Sequence, residues 1–182
     1  MYTKEFYIRC IEKEIWNNED LNKRHWWFKT ALKVSGRGSL NAVYLIRKGQ
    51  YYHKNKKLLG KLVCRSLKNK LIDRYGIFLH WDTKIDIGLH LPHPEGIIIG
   101  KACEIGKNCR ILQQVTIGEA RIDEYLLGKQ PHIGDNCIIF SGANIIGRIK
   151  LGNGTTVGAN AVLNKDTEPD SVWAGIPAKR LK

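Results

Sequence analysis

The hexapeptide LPHPEG (91–96) places a histidine between two prolines. Imidazole titrates near neutrality and can take a proton from a hydroxyl. Pro92 and Pro94 restrict the backbone on either side and should hold the ring in place. His93 is therefore the first candidate for a general base. The plain alternative is a histidine that tolerates a tight turn. Glu95 either faces His93 and helps to orient it, or lies on a locally distorted turn and faces solvent. His80, Asp82 and His90 stand close by in sequence and read as surface residues, with lining of an acceptor site as the alternative. Five cysteines are present, an odd number, and none form a CxxC pair. Neither a disulfide framework nor a metal site is expected from them.

The elements that carry these residues follow two rules. From residue 76 onward the aliphatic period is six. It runs Leu79, Ile85, Leu91, Ile97, then slips by two and resumes at Ile99, Ile105, Ile111, Ile117. After a break it returns at Ile133, Ile139, Ile145, Leu151, Val157 and Leu163. Four positions after most of these stands a small or apolar residue, such as Cys103, Cys109, Val115, Cys137, Ala143 or Ala161. A helix needs a period of 3.6 and an ordinary sheet a period of two. Period six with two inward positions is a hexapeptide solenoid, three hexads to each triangular turn. Cys103, Cys109 and Cys137 then fill interior slots. GNGTTVG (152–158) has the wrong spacing for a nucleotide loop, and no helix follows it. The segment between Ile117 and Ile133 is too long for a corner and should protrude as a loop of about residues 118–132.

Residues 1–75 read as a basic α-helical region. Helices are expected over TKEFYIRCIEKEIW and DLNKRHWWFKTALKV, separated by NNED, and over LNAVYLIRK after the break SGRGS. In the last helix Leu59, Val63, Leu67 and Leu71 recur every four residues, with Leu58 and Leu62 beside them, and are expected to form one buried face. Trp16, Trp26 and Trp27 are expected to pack these helices. No nucleic-acid-binding signature accompanies them. The formal net charge is +13, of which residues 1–75 hold +12. That asymmetry fits a membrane surface or an anionic glycan as partner, or a set of solvated helix faces. No apolar run is long enough to span a membrane, and MYTKEFYIRCIEKE lacks the apolar core of a signal peptide, so a cytoplasmic location is expected.

The hexad array, LPHPEGIIIG, ILQQVTIG and the closing GANAVLNKD…VWAGIPAKRLK resemble the left-handed β-helix acyltransferases. Within them the likeness is to serine O-acetyltransferases and to their relatives in polysaccharide gene clusters. The resemblance covers residues 76–182. It implies a mainly β fold, a left-handed parallel β-helix with the helical region at its N-terminus, and direct acetyl transfer from acetyl-CoA with no metal. By position in the motif, His93 matches the general base. Gly118, Ala143 and Ala159 match backbone or small-residue contacts beside the pantetheine arm, and Gly118 also the region of an oxyanion donor. Lys165 and Lys179 match basic residues near the coenzyme's phosphates. The resemblance also implies a homotrimer, with a hexamer open through the N-terminal helices.

The chain departs from the serine-specific pattern. Phe78 in GIFLHW stands where those enzymes carry an aspartate. In KQPHI, Gln130 stands where they carry a loop histidine, with His132 two positions on. The expected acceptor is therefore a sugar hydroxyl in surface polysaccharide synthesis. Serine is the alternative, and a non-catalytic scaffold the third reading. Gln130 and His132 are candidates for the acceptor site.

Overall fold

The computed structural model describes residues 2–17, 26–36, 38–54, 58–121, 124–128 and 130–182. Its C-terminal part is a stack of very short strands: β1 (Phe78–Leu79), β2 (Lys84–Ile85), β3 (Ile98–Ile99), β4 (Glu104–Ile105), β5 (Arg110–Ile111), β6 (Thr116–Gly118) and β7 (His132–Ile133). There follow β8 (Ile138–Ile139), β9 (Asn144–Ile146), β10 (Lys150–Leu151), β11 (Thr156–Val157), β12 (Val162–Leu163), β13 (Val172–Ala174) and β14 (Lys179–Arg180). They form three sheets, one per side of a prism. Face I is β1-β3-β6-β9-β12, face II is β2-β4-β7-β10, and face III is β5-β8-β11-β13-β14. The pairings are parallel except the last, where β14 turns back antiparallel on β13.

The aliphatic residue of each hexad points in and its neighbour points out, as the two-residue alternation of a strand requires. Leu79, Ile99, Ile117, Ile145 and Leu163 align on face I, and all are buried. The small residues Cys103, Cys109, Cys137, Ala143 and Ala161 are fully buried beside them. The period-six expectation therefore matches the structure. The two-residue slip lies elsewhere than the aliphatic beat implied. Ile97 sits in the inward slot that Val115 takes one coil later, because Ile98 aligns with Thr116. The extra residues are in the corner 92–96, between Leu91 and Ile97. That corner closes on Gly96 (φ +69°), stacked against Gln114 (φ +60°) of the next coil, both left-handed. Glycine adopts this conformation at no steric cost.

Four helices precede the coil: α1 (Lys4–Glu14), α2 (Trp26–Lys33), α3 (Ser39–Lys54) and α4 (Leu58–Tyr75). Thr3 caps α1 by accepting from the Phe6 amide. The NNED separator lies mostly outside the described residues, as does the side chain of Trp26. Trp16 packs as expected and donates to Thr30 at 2.9 Å, but Trp27 is 62% exposed. The α4 face also differs from expectation. Its buried residues are Gly60, Cys64, Leu67, Leu71 and Tyr75, whereas Leu58, Leu59 and Leu62 point outward. Small Gly60 and Cys64 let α3 approach, and that choice of face turns the first leucines to solvent.

The helices cover the open edge of the first coil. Its unpaired amides and carbonyls meet side chains from α1, α3 and Tyr2. The Tyr2 hydroxyl donates to Thr83 O and accepts from Ile85 N, both at 2.8 Å. Glu14 accepts from Gly88 N at 2.8 Å and Leu89 N at 2.9 Å. Arg47 donates to Ile85 O at 2.8 Å and Asp86 O at 2.6 Å, and pairs with Glu14. Gln50 donates to Thr83 O at 3.1 Å. A buried polar edge would otherwise cost about 1–3 kcal/mol per unmade bond. Burial alone would lower the Arg47 pKa, but the Glu14 carboxylate outweighs it and keeps the guanidinium charged. Trp81 of the first coil lies flat against α3 at Gly49, where a Cβ would overlap its ring.

Candidate functional site

His93 sits at the corner where face III turns into face I. Its side chain is exposed, as its place two residues past inward Leu91 predicts. Pro94 is buried and Pro92 half-buried, so the corner is anchored on both sides of the ring. Among the described residues neither the His93 nor the Glu95 side chain has a hydrogen-bond or ion-pair partner. Glu95 therefore does not orient His93 within this chain. The two extra residues widen the corner and turn Glu95 out to solvent, and only its backbone is engaged, accepting from Gln114 N at 2.8 Å.

The surface beside this corner is apolar. Phe78 and Ile98 are aligned neighbours on the outer side of face I, 50% and 44% exposed. Thr116, Asn144 and Val162 continue the column. The first of these was legible in the sequence as Phe78 in place of an aspartate. Its pairing with Ile98 was not, because it depends on the length of the widened corner. One coil above Glu95, Gln113 holds its Oε1 buried without a partner among the described residues. Buried acceptors are ordinarily satisfied, so the coil above this corner holds an unused acceptor.

Gln130 and His132 do not join His93. Gln130 is buried at the root of the protruding loop, where its Nε2 donates to Glu119 at 3.2 Å and Cys103 Sγ donates to its Oε1 at 3.3 Å. It closes the loop instead of lining a surface. His132 lies on face II, across the prism from the His93 corner, with Nδ1 3.1 Å from Glu104. There Lys84, Glu104, His132 and Lys150 form one aligned column with a single acid among basic side chains, bordering a shallow cavity of about 340 Å³. The bond from Lys84 holds the Glu104 carboxyl below its usual range. Within the loop one turn of 3-10 helix spans Glu124–Leu127; Ile122, Asp123 and Lys129 lie outside the described residues.

His80 and His90 are held by neighbours. Asp82 lies 3.0 Å from His53 and 3.2 Å from His80. Burial lowers the His80 pKa. His90 accepts from Arg110 at 3.2 Å, and burial first, then that cation, lowers its pKa. Among the described residues no cluster of three such side chains is arranged to hold a metal ion.

The coenzyme positions separate into two groups. Gly118 faces open space where a Cβ would stand, and Ala159 is exposed. Lys165 and Lys179 are exposed, Lys165 resting 5.5 Å over the Trp173 ring. The Ala143 side chain is fully buried in the prism, as its inward slot requires, which leaves only its backbone to meet a ligand. Gly118 and Lys165 border the I–II edge of face I, and Ala159 borders its III–I edge. A thin ligand meeting all three on one protomer would run across face I.

A family model, "Bacterial transferase hexapeptide (six repeats)", matches residues 130–165. Serine acetyltransferase of Staphylococcus aureus (strain Mu50 / ATCC 700699) is 38% identical over 108 residues, covering 59% of this chain and 49% of the relative. The chain thus spans about half the length of that curated relative. Serine acetyltransferase of Neisseria gonorrhoeae superposes with a TM-score of 0.77 at 24% identity, over 97% of this chain and 65% of the other. A serine acetyltransferase complexed with CoA superposes with a TM-score of 0.73 at 23% identity, over 98% and 71%. The chain is a hexapeptide-repeat protein that resembles the serine acetyltransferases in sequence and has their left-handed β-helix fold.

Proposed function

We propose that this protein is an acetyl-CoA-dependent O-acetyltransferase with His93 as general base. The observation that carries the reading is an exposed, unengaged imidazole on an anchored corner of a fold shared with serine acetyltransferases. The acceptor hydroxyl gives its proton to His93, and its oxygen attacks the thioester carbon. The C–O bond forms, the C–S bond breaks, and the proton passes from His93 to the departing thiolate. Neither a covalent acyl-enzyme nor a metal is part of this scheme. Gly118 leaves room for a thin chain, and Lys165 and Lys179 offer charge to phosphates. A homotrimer, with the coenzyme between protomers, is part of the same reading.

The relatives favour serine as the acceptor. They carry that name, and so support serine better than the sugar hydroxyl that the sequence alone put first. A sugar hydroxyl is the second reading. One observation favours it: the exposed Phe78–Ile98 pair beside the base presents an apolar surface where the serine-specific pattern carries an aspartate. Thiol release from acetyl-CoA, measured with serine and with a panel of sugars, separates the two. Turnover with serine alone would retire the sugar reading. His93→Ala is expected to slow turnover by about 100-fold or more at unchanged circular dichroism, the scale of a lost general base. Near-wild-type turnover in a folded variant would remove His93 from the mechanism.

A further inference from the structure

The outward surface of α4 carries three leucines. Leu58, Leu59 and Leu62 are 76%, 70% and 58% exposed. At about 100° per residue they centre on the side opposite the buried stripe of Gly60, Cys64, Leu67 and Leu71. Single exposed leucines are ordinary, whereas several grouped on one face mark a contact. Their rim carries one sign of charge. Lys61, Arg65, Lys68 and Lys70 are exposed on the same helix, and residues 58–72 contain no Asp or Glu. Lys54, at the end of α3, is exposed as well.

A second copy meeting this patch by two-fold symmetry would bring like charges together at the rim, which opposes association. Nucleic acid would use the lysines and leave the leucines in water. An anionic surface with an apolar layer beneath it uses both. No described helix is long and apolar enough to cross a membrane, so the contact is with the surface. We infer that the N-terminal half of α4 docks the protein on an anionic lipid surface. Leu58, Leu59 and Leu62 enter the headgroup boundary while Lys61, Arg65 and Lys68 meet the lipid charge. This inference is independent of the acceptor and of His93.

The test is co-sedimentation of the full chain with vesicles of phosphatidylcholine alone and of phosphatidylcholine with about one third phosphatidylglycerol. The expected result is binding at least about tenfold tighter to the anionic vesicles, weakened by about 0.5 M NaCl. The triple substitution L58S/L59S/L62S should reduce that binding by about tenfold or more at unchanged melting temperature, since these side chains make little of the core. K61E/R65E should weaken it similarly and reduce its salt dependence. Absence of an anionic preference, or unchanged binding by the leucine variant, would overturn the inference. So would self-association without lipid that the leucine variant abolishes, because the patch would then be a protein contact.

Discussion

A thiol attacks and ligates as thiolate, and this chain holds Cys10, Cys64, Cys103 and Cys109 away from that form, while the hydrogen bond with Cys109 lowers Cys137, which burial alone shields. Burial pushes Cys10 and Cys103 up to about 12, and raises Cys64. Cys109 is raised first by its hydrogen bond with Cys137 and then by burial. All five are free and buried. The native protein should therefore react with Ellman's reagent at pH 8 about 100-fold more slowly than the denatured chain, which should release five equivalents. Fast labelling of one native thiol would show an interior that opens. Three of these cysteines were legible as core from their phase in the repeat. The outward direction of His93 was legible for the same reason, being fixed by Leu91. Glu95 left two readings open, because Ile97, Ile98 and Ile99 are consecutive, and the structure shows the distorted corner with Glu95 in solvent. With three isoleucines in a row, an expansion of the corner before them and a slip after Ile97 give the same pattern. Only the register between Ile98 and Thr116 separates the two.

Between elements, one fully buried joint is Glu14–Arg47. Both side chains are 1% exposed, and together they answer four backbone groups of the first coil. Removing one partner strands a buried charge, so Arg47→Met should cost about 3–5 kcal/mol in chemical denaturation. A loss under about 1 kcal/mol would mean that the helices dock by apolar packing alone. The Lys84–Glu104–His132 column gives a second test, read through pH. The folded Glu104 carboxyl lies below 4.5, so its stabilisation is present above that value and lost as pH falls through the depressed one. Glu104→Gln should lower the melting temperature slightly at pH 7, and the gap should close as pH falls through the depressed Glu104 pKa. The effect is small because solvent screens a side chain 37% exposed. The face of α4 was misread from the sequence because leucines stand on both sides of it. Spacing by four residues fits either side, and the choice belongs to Gly60 and Cys64, whose small size admits α3.

Across the whole molecule, the solenoid was legible because its rule repeats at every coil and each repetition checks the last. The loop was legible as an interruption of that rule. The acceptor was not: Phe78 and Gln130 pointed to a sugar, whereas the similar proteins carry the name of the alternative, serine. The charge asymmetry has a structural counterpart, since the basic helices sit at one end of the prism and the nearly neutral coil forms the rest.

A parallel coil has no natural last rung. Each finished turn offers a row of amides and carbonyls that templates another, from its own chain or from a neighbour. Here Tyr2, Glu14, Arg47 and Gln50 occupy that row at one end, and β14 reverses direction at the other. The protein is a finite piece of what would otherwise be a one-dimensional crystal. Its helices and its final hairpin act as stoppers against fibre growth as well as parts of the fold.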